Sequence, residues 1–388
     1  LKKARRTFSK LFKEKHPEFH DGFVGCAGSS VSFSQDESAL LAGTIDVLWE
    51  RHRTFNCDER QIDAVVSECG EFLASRKALA CYQAHLLNFR MESDLLELND
   101  GMVIRKLSEQ EVNKIYGGPL MALSFWRPNH FGMNEFVIEK TFHEEVILNA
   151  TAVPIATREA FIELANKVVL GLRTFKTGPV GFREVRARFI NFSPLGSGIT
   201  TYNNEYIPFG EYRTSDEELT SLRSHLREIC ALSEPTLTMA CFRLSLAATR
   251  TRPEDELLDA VIGMEALLIP VGGKGELKYK GESRYRFSLN YSALADLPGE
   301  RKRAFRFARD LYDLRSLVAH GSELSAVCEL DSQKLSAREA AKRATEALRK
   351  LVHHFLPQAS HKPYKRHDFC EHAYFGMEPS TESLVSSD

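Results

Sequence analysis

The chain has 388 residues, of which 43% are hydrophobic and 10% aromatic, and 51 Lys and Arg face 53 Asp and Glu for a net charge of −2. This composition excludes a disordered, collagen-like or mucin-like chain. At roughly 150 residues per domain, the length predicts two or three domains, each able to bury its own core. The near-neutral total gives no reason to expect a nucleic-acid partner, because non-specific nucleic-acid binders are clearly basic.

No pattern in the sequence indicates a membrane span, a redox pair or a metal site. No apolar run approaches the ~18 residues that cross a bilayer, and the eight cysteines form no CxxC pair. His143 precedes two glutamates but lacks the second histidine of an HExxH zinc site, and no GxSxG nucleophile motif is present. The Cys and His residues near the end of the chain fit no standard zinc spacing: His361, His367, Cys370 and His372. We therefore expect a cytoplasmic protein without metal, cofactor or membrane partner.

Residues 1–235 are predicted to form a mixed α+β region. Apolar residues recur at helical spacing in residues 36–97, and residues 158–172 form an amphipathic pattern behind Thr157 as a cap. The turn-rich residues 196–212 resemble a hairpin. Four segments are short and β-prone, namely residues 121–126, 135–138, 146–150 and 185–192.

The remainder of the chain is helical in pattern almost without interruption. Residues 236–357 are predicted to form an all-helical bundle, followed by a polar tail over residues 358–388. The prolines of this half fall between the periodic segments, where they do not disturb a helix. The predicted helices cover residues 217–232, 237–249, 254–268, 282–294, 300–319 and 335–356.

A local excess of positive charge lies within the predicted bundle. Residues 274–309 contain ten cations and four acids, a net charge of +6 that the whole-chain total hides. Aromatic residues are interleaved with the cations, as on surfaces that hold RNA phosphates and stack bases: Tyr279, Tyr285, Phe287 and Tyr291. The alternative is a solvated face of two helices whose aromatic residues are core. On the first interpretation, the residues that contact RNA are Lys278, Lys280, Arg284, Arg286, Arg306 and Arg309.

Arg315 and His320 form an Rx4H pattern in the fifth helix of this half. A neutral imidazole can take the proton of a ribose 2′-hydroxyl, and an imidazolium can protonate a leaving 5′-oxygen. A guanidinium stays charged and can hold the phosphate through two parallel hydrogen bonds. This pair of residue types therefore suits RNA cleavage without a metal ion.

A second Rx4H match, Arg349 and His354, lies in the middle of the sixth helix and serves as a control. A five-residue offset in a continuing helix puts the two side chains about 140° apart. His320, in contrast, precedes Gly321, which is a natural helix C-cap, so its imidazole is presented from a helix end. The first pair is the better candidate.

Three segments in order resemble the Apea-like branch of the HEPN superfamily: DAVIGMEALL at 259–268, GESRYRFSLNYSALA at 281–295 and LYDLRSLVAHG at 311–321. The resemblance covers residues 236–357. It implies a helical bundle that dimerises so that Arg and His of both protomers line one cleft. It also implies a metal-independent ribonuclease that leaves a 2′,3′-cyclic phosphate, as an anti-phage or toxin effector, with tRNA among the candidate substrates.

The resemblance assigns roles to individual residues. Arg315 corresponds to the arginine that holds the phosphate, and His320 to the general acid or base. Ser316 occupies the position of a polar residue that follows the arginine, and Glu265 matches an acid that often accompanies the pair. Asp313 is a further acid that could orient them or simply face solvent.

Three functional hypotheses follow. The first is a homodimeric HEPN endoribonuclease, whose N-terminal region senses a phage-derived or cellular trigger or restrains the nuclease. The second is a catalytically silent HEPN module that binds nucleotide or RNA, or serves only dimerisation. The third makes the N-terminal region the functional part and the bundle a dimerisation scaffold.

Overall fold

The computed structural model describes residues 14, 23–26, 29–32, 45, 47–49, 51–52, 54, 56–116, 135–145, 147–148, 156–190, 200–202, 207–208, 210–269, 283–295 and 298–359. These residues form two compact units. The first contains the described residues of Leu1–Lys167, Val180–Glu205 and Arg213–Leu219, and the second those of Val168–Pro179, Tyr206–Tyr212 and Thr220–Asp388. The predicted strand at 121–126 and nearly all of the tail lie outside the described residues.

The first unit is built on an antiparallel sheet. Its elements are, in chain order, β1 (Phe23–Cys26), β2 (Ser29–Ser32), α1 (Glu59–Ser75), β3 (Lys77–Leu87), β4 (Phe89–Met91), β5 (Leu95–Glu97), β6 (Val103–Lys106), α2 (Glu109–Tyr116), β7 (Phe136–Glu145), β8 (Ile147–Leu148), α3 (Ala156–Phe175), β9 (Gly181–Phe189), β10 (Thr200–Tyr202) and β11 (Tyr212–Thr214). Six strands form one sheet in the order β10–β9–β3–β7–β6–β5, with every pairing antiparallel. The α+β character predicted for this half is confirmed.

The centre of this sheet is β3, which is buried on both faces. The fully buried ring of Tyr82 lies 5.5 Å from Phe161 of α3 and 5.5 Å from Phe142 of β7. Helix α3 therefore packs on the sheet. It confirms the helix predicted at 158–172, although it begins at Ala156, so that Thr157 lies in its first turn rather than at the cap.

The prediction of helix through residue 97 is wrong beyond α1. The helix ends at Ser75, Arg76 adopts a left-handed φ of 52°, and the chain continues as β3. A central strand with both faces covered shows no alternation of polar and apolar residues. Its run of Ala and Leu therefore resembles a buried helix in sequence.

The described residues of the segment 196–212 do not form the expected hairpin with one another. β10 pairs with β9 at the edge of the large sheet, whereas β11 pairs with β4. The two strands thus have separate partners. A turn-rich sequence indicates a reversal of the chain but does not specify which strand pairs with which.

The second unit is dominated by helices that confirm the predicted ones. They are α4 (Leu219–Ala231), α5 (Pro235–Ala247), α6 (Pro253–Leu268), α7 (Ser283–Ala293), α8 (Pro298–Ala319) and α9 (Ala337–Ala359), and the C-terminal part of α3 joins them. Three of them begin with proline, whose missing N–H costs nothing in a first helical turn. Pro357, in contrast, lies within α9 rather than after it.

The prediction that this half is entirely helical is wrong at one place. A hairpin of β12 (Val327–Leu330) and β13 (Gln333–Ser336) connects α8 to α9. Asp331 and Ser332 both have positive φ, as a tight two-residue turn requires. The Asp331 amide donates to Asp310 Oδ2 of α8 at 3.1 Å, which fixes the hairpin to that helix. A short strand pair with an Asp-Ser turn lacks the Asn-Gly signature by which such turns are recognised.

Helix α6 occupies the centre of the second unit and packs against α5 and α9. At Gly263, an added Cβ would lie 2.6 Å from Leu348 Cδ2 of α9 and 3.1 Å from Arg243 Cβ of α5. The three helices therefore approach one another closely at this glycine. This packing fixes the end of α6, which carries Glu265.

Candidate functional site

Arg315 is held in place by two neighbours. Its Nη2 donates a hydrogen bond to Glu265 Oε2 of α6 at 3.2 Å, and its guanidinium carbon lies 5.9 Å from the ring centroid of Tyr312. Tyr312 precedes Arg315 by three residues, so both lie on one face of α8. The Arg315 side chain is 28% exposed. It can therefore receive an anion without leaving Glu265.

Glu265 is a half-buried acid with one cationic partner. Burial raises the pKa of its carboxyl above the usual range, and the charge of Arg315 opposes that shift only in part. A single contact at 3.2 Å does not saturate the guanidinium, which carries five N–H donors. Glu265 thus orients Arg315 and leaves donors for a phosphate.

His320 lies at the end of α8, where the last turn forms a Schellman motif. The amide of Ser322 donates to the Leu317 carbonyl at 3.1 Å, and that of Gly321 to the Val318 carbonyl at 2.9 Å. Gly321 has a φ of +86°, which glycine adopts without steric cost. The predicted C-cap is confirmed, and the imidazole of His320 is exposed to solvent immediately before it.

Gly321→Ala should lower the stability of the last turn of α8 by about 1 kcal/mol, because a Cβ is strained at positive φ. No described atom lies within 4 Å of the added Cβ, so the cost is backbone strain alone. Thermal unfolding would measure it. Gly321→Asn is the control, since Asn tolerates this conformation better than Ala. Equal stability of the Ala variant and the wild type would contradict the interpretation.

Ser316 and Asp313, the two other polar residues near Arg315 in α8, have different contacts. The backbone carbonyl of Ser316 accepts the amide of His320 at 3.1 Å, and its side chain is half-buried. Asp313 forms an ion pair with Arg284 of α7. Asp313 therefore links α7 to α8.

Four of the cations assigned to RNA contact are described, and they lie on two helices that pack together, α7 and α8. Arg306 is exposed, Arg309 Nη2 lies 3.4 Å from Asp310 Oδ1, and Arg284 pairs with Asp313. Arg286 is half-buried. Lys278 and Lys280 lie outside the described residues. Exposed ion pairs are worth little, so phosphate can compete for these guanidinium groups.

Most of the described aromatic residues of this region are core rather than surface. Phe287 is 0% exposed and lies 5.6 Å from the ring of Tyr312. Tyr291 packs 5.7 Å from Phe307, and its burial raises the pKa of its hydroxyl to about 12. Tyr285, in contrast, is 58% exposed. Among the described residues of this set, Tyr285 is the one with an exposed ring, which also lies 5.8 Å from the ring of Phe305.

The second Rx4H match has a different environment. Arg349 is 4% exposed, and its Nη1 donates to Glu346 Oε2 at 2.8 Å. His354 is exposed, yet both residues line one open cleft. That one side chain is buried and the other exposed agrees with the helical offset of about 140°.

Tyr312 is the site residue that sequence reasoning did not single out. Its spacing of three residues before Arg315 is the signal that could have identified it. Glu265 had been named by the resemblance, and its side chain contacts Arg315 although the two residues are 50 positions apart in the sequence.

Comparison of the chain with protein-family models, with curated proteins and with solved structures finds no match. No helix within the described ranges combines the length and the apolar character needed to cross a membrane. The part of the chain that the structure describes also contains no group of three or more His, Cys, Asp or Glu suited to a metal ion. The His and Cys cluster of the tail lies outside that part.

Proposed function

We propose that the protein is an endoribonuclease of the Apea-like HEPN type that cleaves RNA without a metal ion. One observation carries the proposal: Glu265 and Tyr312 hold a partly exposed Arg315 five residues before the solvent-exposed His320 at the end of α8. A guanidinium held by its neighbours and an accessible imidazole on the same helix are residue types that phosphodiester transfer without a metal ion uses. The three segments that resemble this family support the same reaction.

The proposed reaction is an internal transesterification. Neutral His320 accepts the proton of a ribose 2′-hydroxyl, and the 2′-oxygen attacks the adjacent phosphorus while the bond to the 5′-oxygen breaks. A protonated imidazole supplies the proton that the 5′-oxygen takes up, so the products are a 2′,3′-cyclic phosphate and a 5′-hydroxyl. Arg315 stabilises the negative charge that builds on the phosphoryl oxygens.

A homodimer would supply both protonation states of the imidazole. The resemblance implies that Arg315 and His320 of two protomers line one cleft, so that one His320 acts as base and its partner as acid. The cations of α7 and α8 would then hold the flanking phosphates. The N-terminal region would sense a phage-derived or cellular trigger in the cytoplasm, and the nuclease would damage host RNA.

The decisive experiment compares His320→Ala with His143→Ala, an exposed histidine on β7. Purified proteins are incubated with tRNA and total RNA in excess EDTA, and fragment ends are analysed. We expect wild type and His143→Ala to leave 2′,3′-cyclic phosphates, and His320→Ala to lose at least about 100-fold in rate. Cleavage that persists in His320→Ala, or that requires a divalent metal, would overturn the mechanism.

The alternative is a catalytically silent module that binds nucleotide or RNA. The contacts of Arg315 with Glu265 and Tyr312 favour it in one respect, because they also give Arg315 a role in packing. This alternative predicts RNA binding by wild type and His320→Ala alike, with no cleavage by either.

A further inference from the structure

An open cleft with no assigned role lies where the end of α3 meets the C-terminal half of α9. Its volume is about 490 Å³, within the range of small-molecule sites. The cleft opens to solvent, and its walls belong to a single unit. Its lining residues are Phe175, Lys176, Thr177, Glu346, Arg349, Lys350, His353 and His354. None of them belongs to the proposed nuclease site.

The charges of this cleft favour an anion. Two lysines and one arginine line it against one acid, Glu346. Arg349 neutralises that acid through the contact at 2.8 Å, and its Nη2 donates to the Arg173 carbonyl at 3.4 Å. The other two cations of the lining are Lys350, which is exposed, and Lys176, whose Nζ lies 5.5 Å from the ring centroid of Tyr212.

One buried donor of Arg349 has no acceptor within the described part of the chain. Its Nε–H is inaccessible to solvent, and the side chain is 4% exposed. A buried guanidinium N–H without a partner is costly. A ligand in the solvent-open cleft does not reach this N–H, so the affinity of the cleft for an anion depends on its lysines.

A cluster of rings forms the apolar wall of the cleft. The ring of Phe175 lies 6.2 Å from that of His353 and 5.6 Å from that of His225, and the two imidazoles are 5.1 Å apart. His353 Nε2 lies 3.0 Å from the Thr174 carbonyl. Since a carbonyl can only accept, this nitrogen carries a hydrogen, which fixes the orientation of the ring. The three rings are tilted against one another, so a base would stack on the face of a single ring.

We propose that this cleft binds a nucleoside phosphate, with its phosphates on Lys176 and Lys350 and its base against the rings of Phe175 and His353. The volume admits a mononucleotide, and aromatic side chains stack on bases of any identity. The phosphate supplies the anion that the cations attract. The ligand site is separate from Arg315 and His320, so it does not depend on the proposed ribonuclease activity.

Isothermal titration calorimetry of the full chain with ATP, AMP, adenosine and inorganic phosphate tests the proposal. We expect AMP or ATP to bind more tightly than adenosine and than inorganic phosphate. Lys350→Glu should weaken nucleotide binding at least tenfold, because the charge reversal repels phosphate. Lys342→Glu, at an exposed lysine earlier on α9, is the matched control and should leave affinity unchanged.

A second variant tests the aromatic wall. Phe175→Leu keeps an apolar side chain but removes the ring. It should lower the affinity for AMP without changing the affinity for inorganic phosphate. Circular dichroism and thermal unfolding would establish that each variant is folded. The proposal is overturned if no nucleotide binds, if phosphate binds as tightly as AMP, or if Lys350→Glu binds nucleotide like wild type.

Discussion

Arg315→Ala is expected to reduce RNA cleavage about 1,000-fold at saturating substrate. A donor aimed at charge that develops in the transition state is worth about 100- to 1,000-fold in rate, and a charged bidentate donor belongs at the upper end. The effect should fall mainly on kcat, because under the proposed function the cations of α7 and α8 would still hold the RNA. Single-turnover cleavage in EDTA would measure it.

Two further variants separate charge from geometry. Arg315→Lys keeps the charge but not the planar fork, so its rate should lie between those of wild type and Arg315→Ala. Glu265→Gln should cost less than Arg315→Ala, because it loosens the guanidinium without removing it. Arg343→Ala, an exposed arginine on α9, is the control with full activity. An Arg315→Ala enzyme as fast as this control would refute the role of Arg315.

Acidification from pH 6.5 to pH 4 is expected to lower the free energy of unfolding of the first unit by about 3 kcal/mol, because His85 takes up a proton in the unfolded chain. His85 is fully buried in β3, and neither ring nitrogen has a hydrogen-bond partner within the residues described. Burial, assisted by the charge of Arg186, lowers its pKa from 6.5 to about 4. The unfolded chain therefore binds a proton at a pH at which the folded chain does not, and stability falls until both states are protonated.

Replacement of His85 tests this account. His85→Leu should abolish that part of the pH dependence and leave stability at pH 7 equal or higher, because it removes a buried polar group without partners. Urea unfolding at several pH values, followed by a probe in the first unit, measures the slope. His143→Leu, at an exposed histidine, should retain the wild-type slope. An unchanged slope in His85→Leu would refute the prediction.

Much of the site could be predicted because it depends on local signals. Gly321 marks the end of α8 through its φ of +86°, and this placed His320 at a helix end. The contact between Arg315 and Glu265 is different, because it joins two helices. No local pattern specifies which helices meet, and the resemblance rather than the residue spacing named Glu265.

Charge and aromatic composition were less informative about the surface. The +6 segment does lie on two packed helices as far as it is described, but Phe287 is buried and Arg284 is paired with Asp313. The sequence shows how many charged and aromatic residues the segment has, but not which of them face solvent. The open cleft beside α9 was missed for the same reason, since α3 and α9 supply its walls from distant parts of the chain.

The sequence by itself determined the helices of the second half, because a 3.6-residue apolar period and proline at the first turn are local properties. It also determined where α8 ends. Only the tertiary structure decided that residues 77–87 form a central strand, that β12 and β13 interrupt the helices, and that Arg315 lies against Glu265. Strand pairing, burial on two faces and contacts between helices depend on residues far apart in the chain, and no local period encodes them.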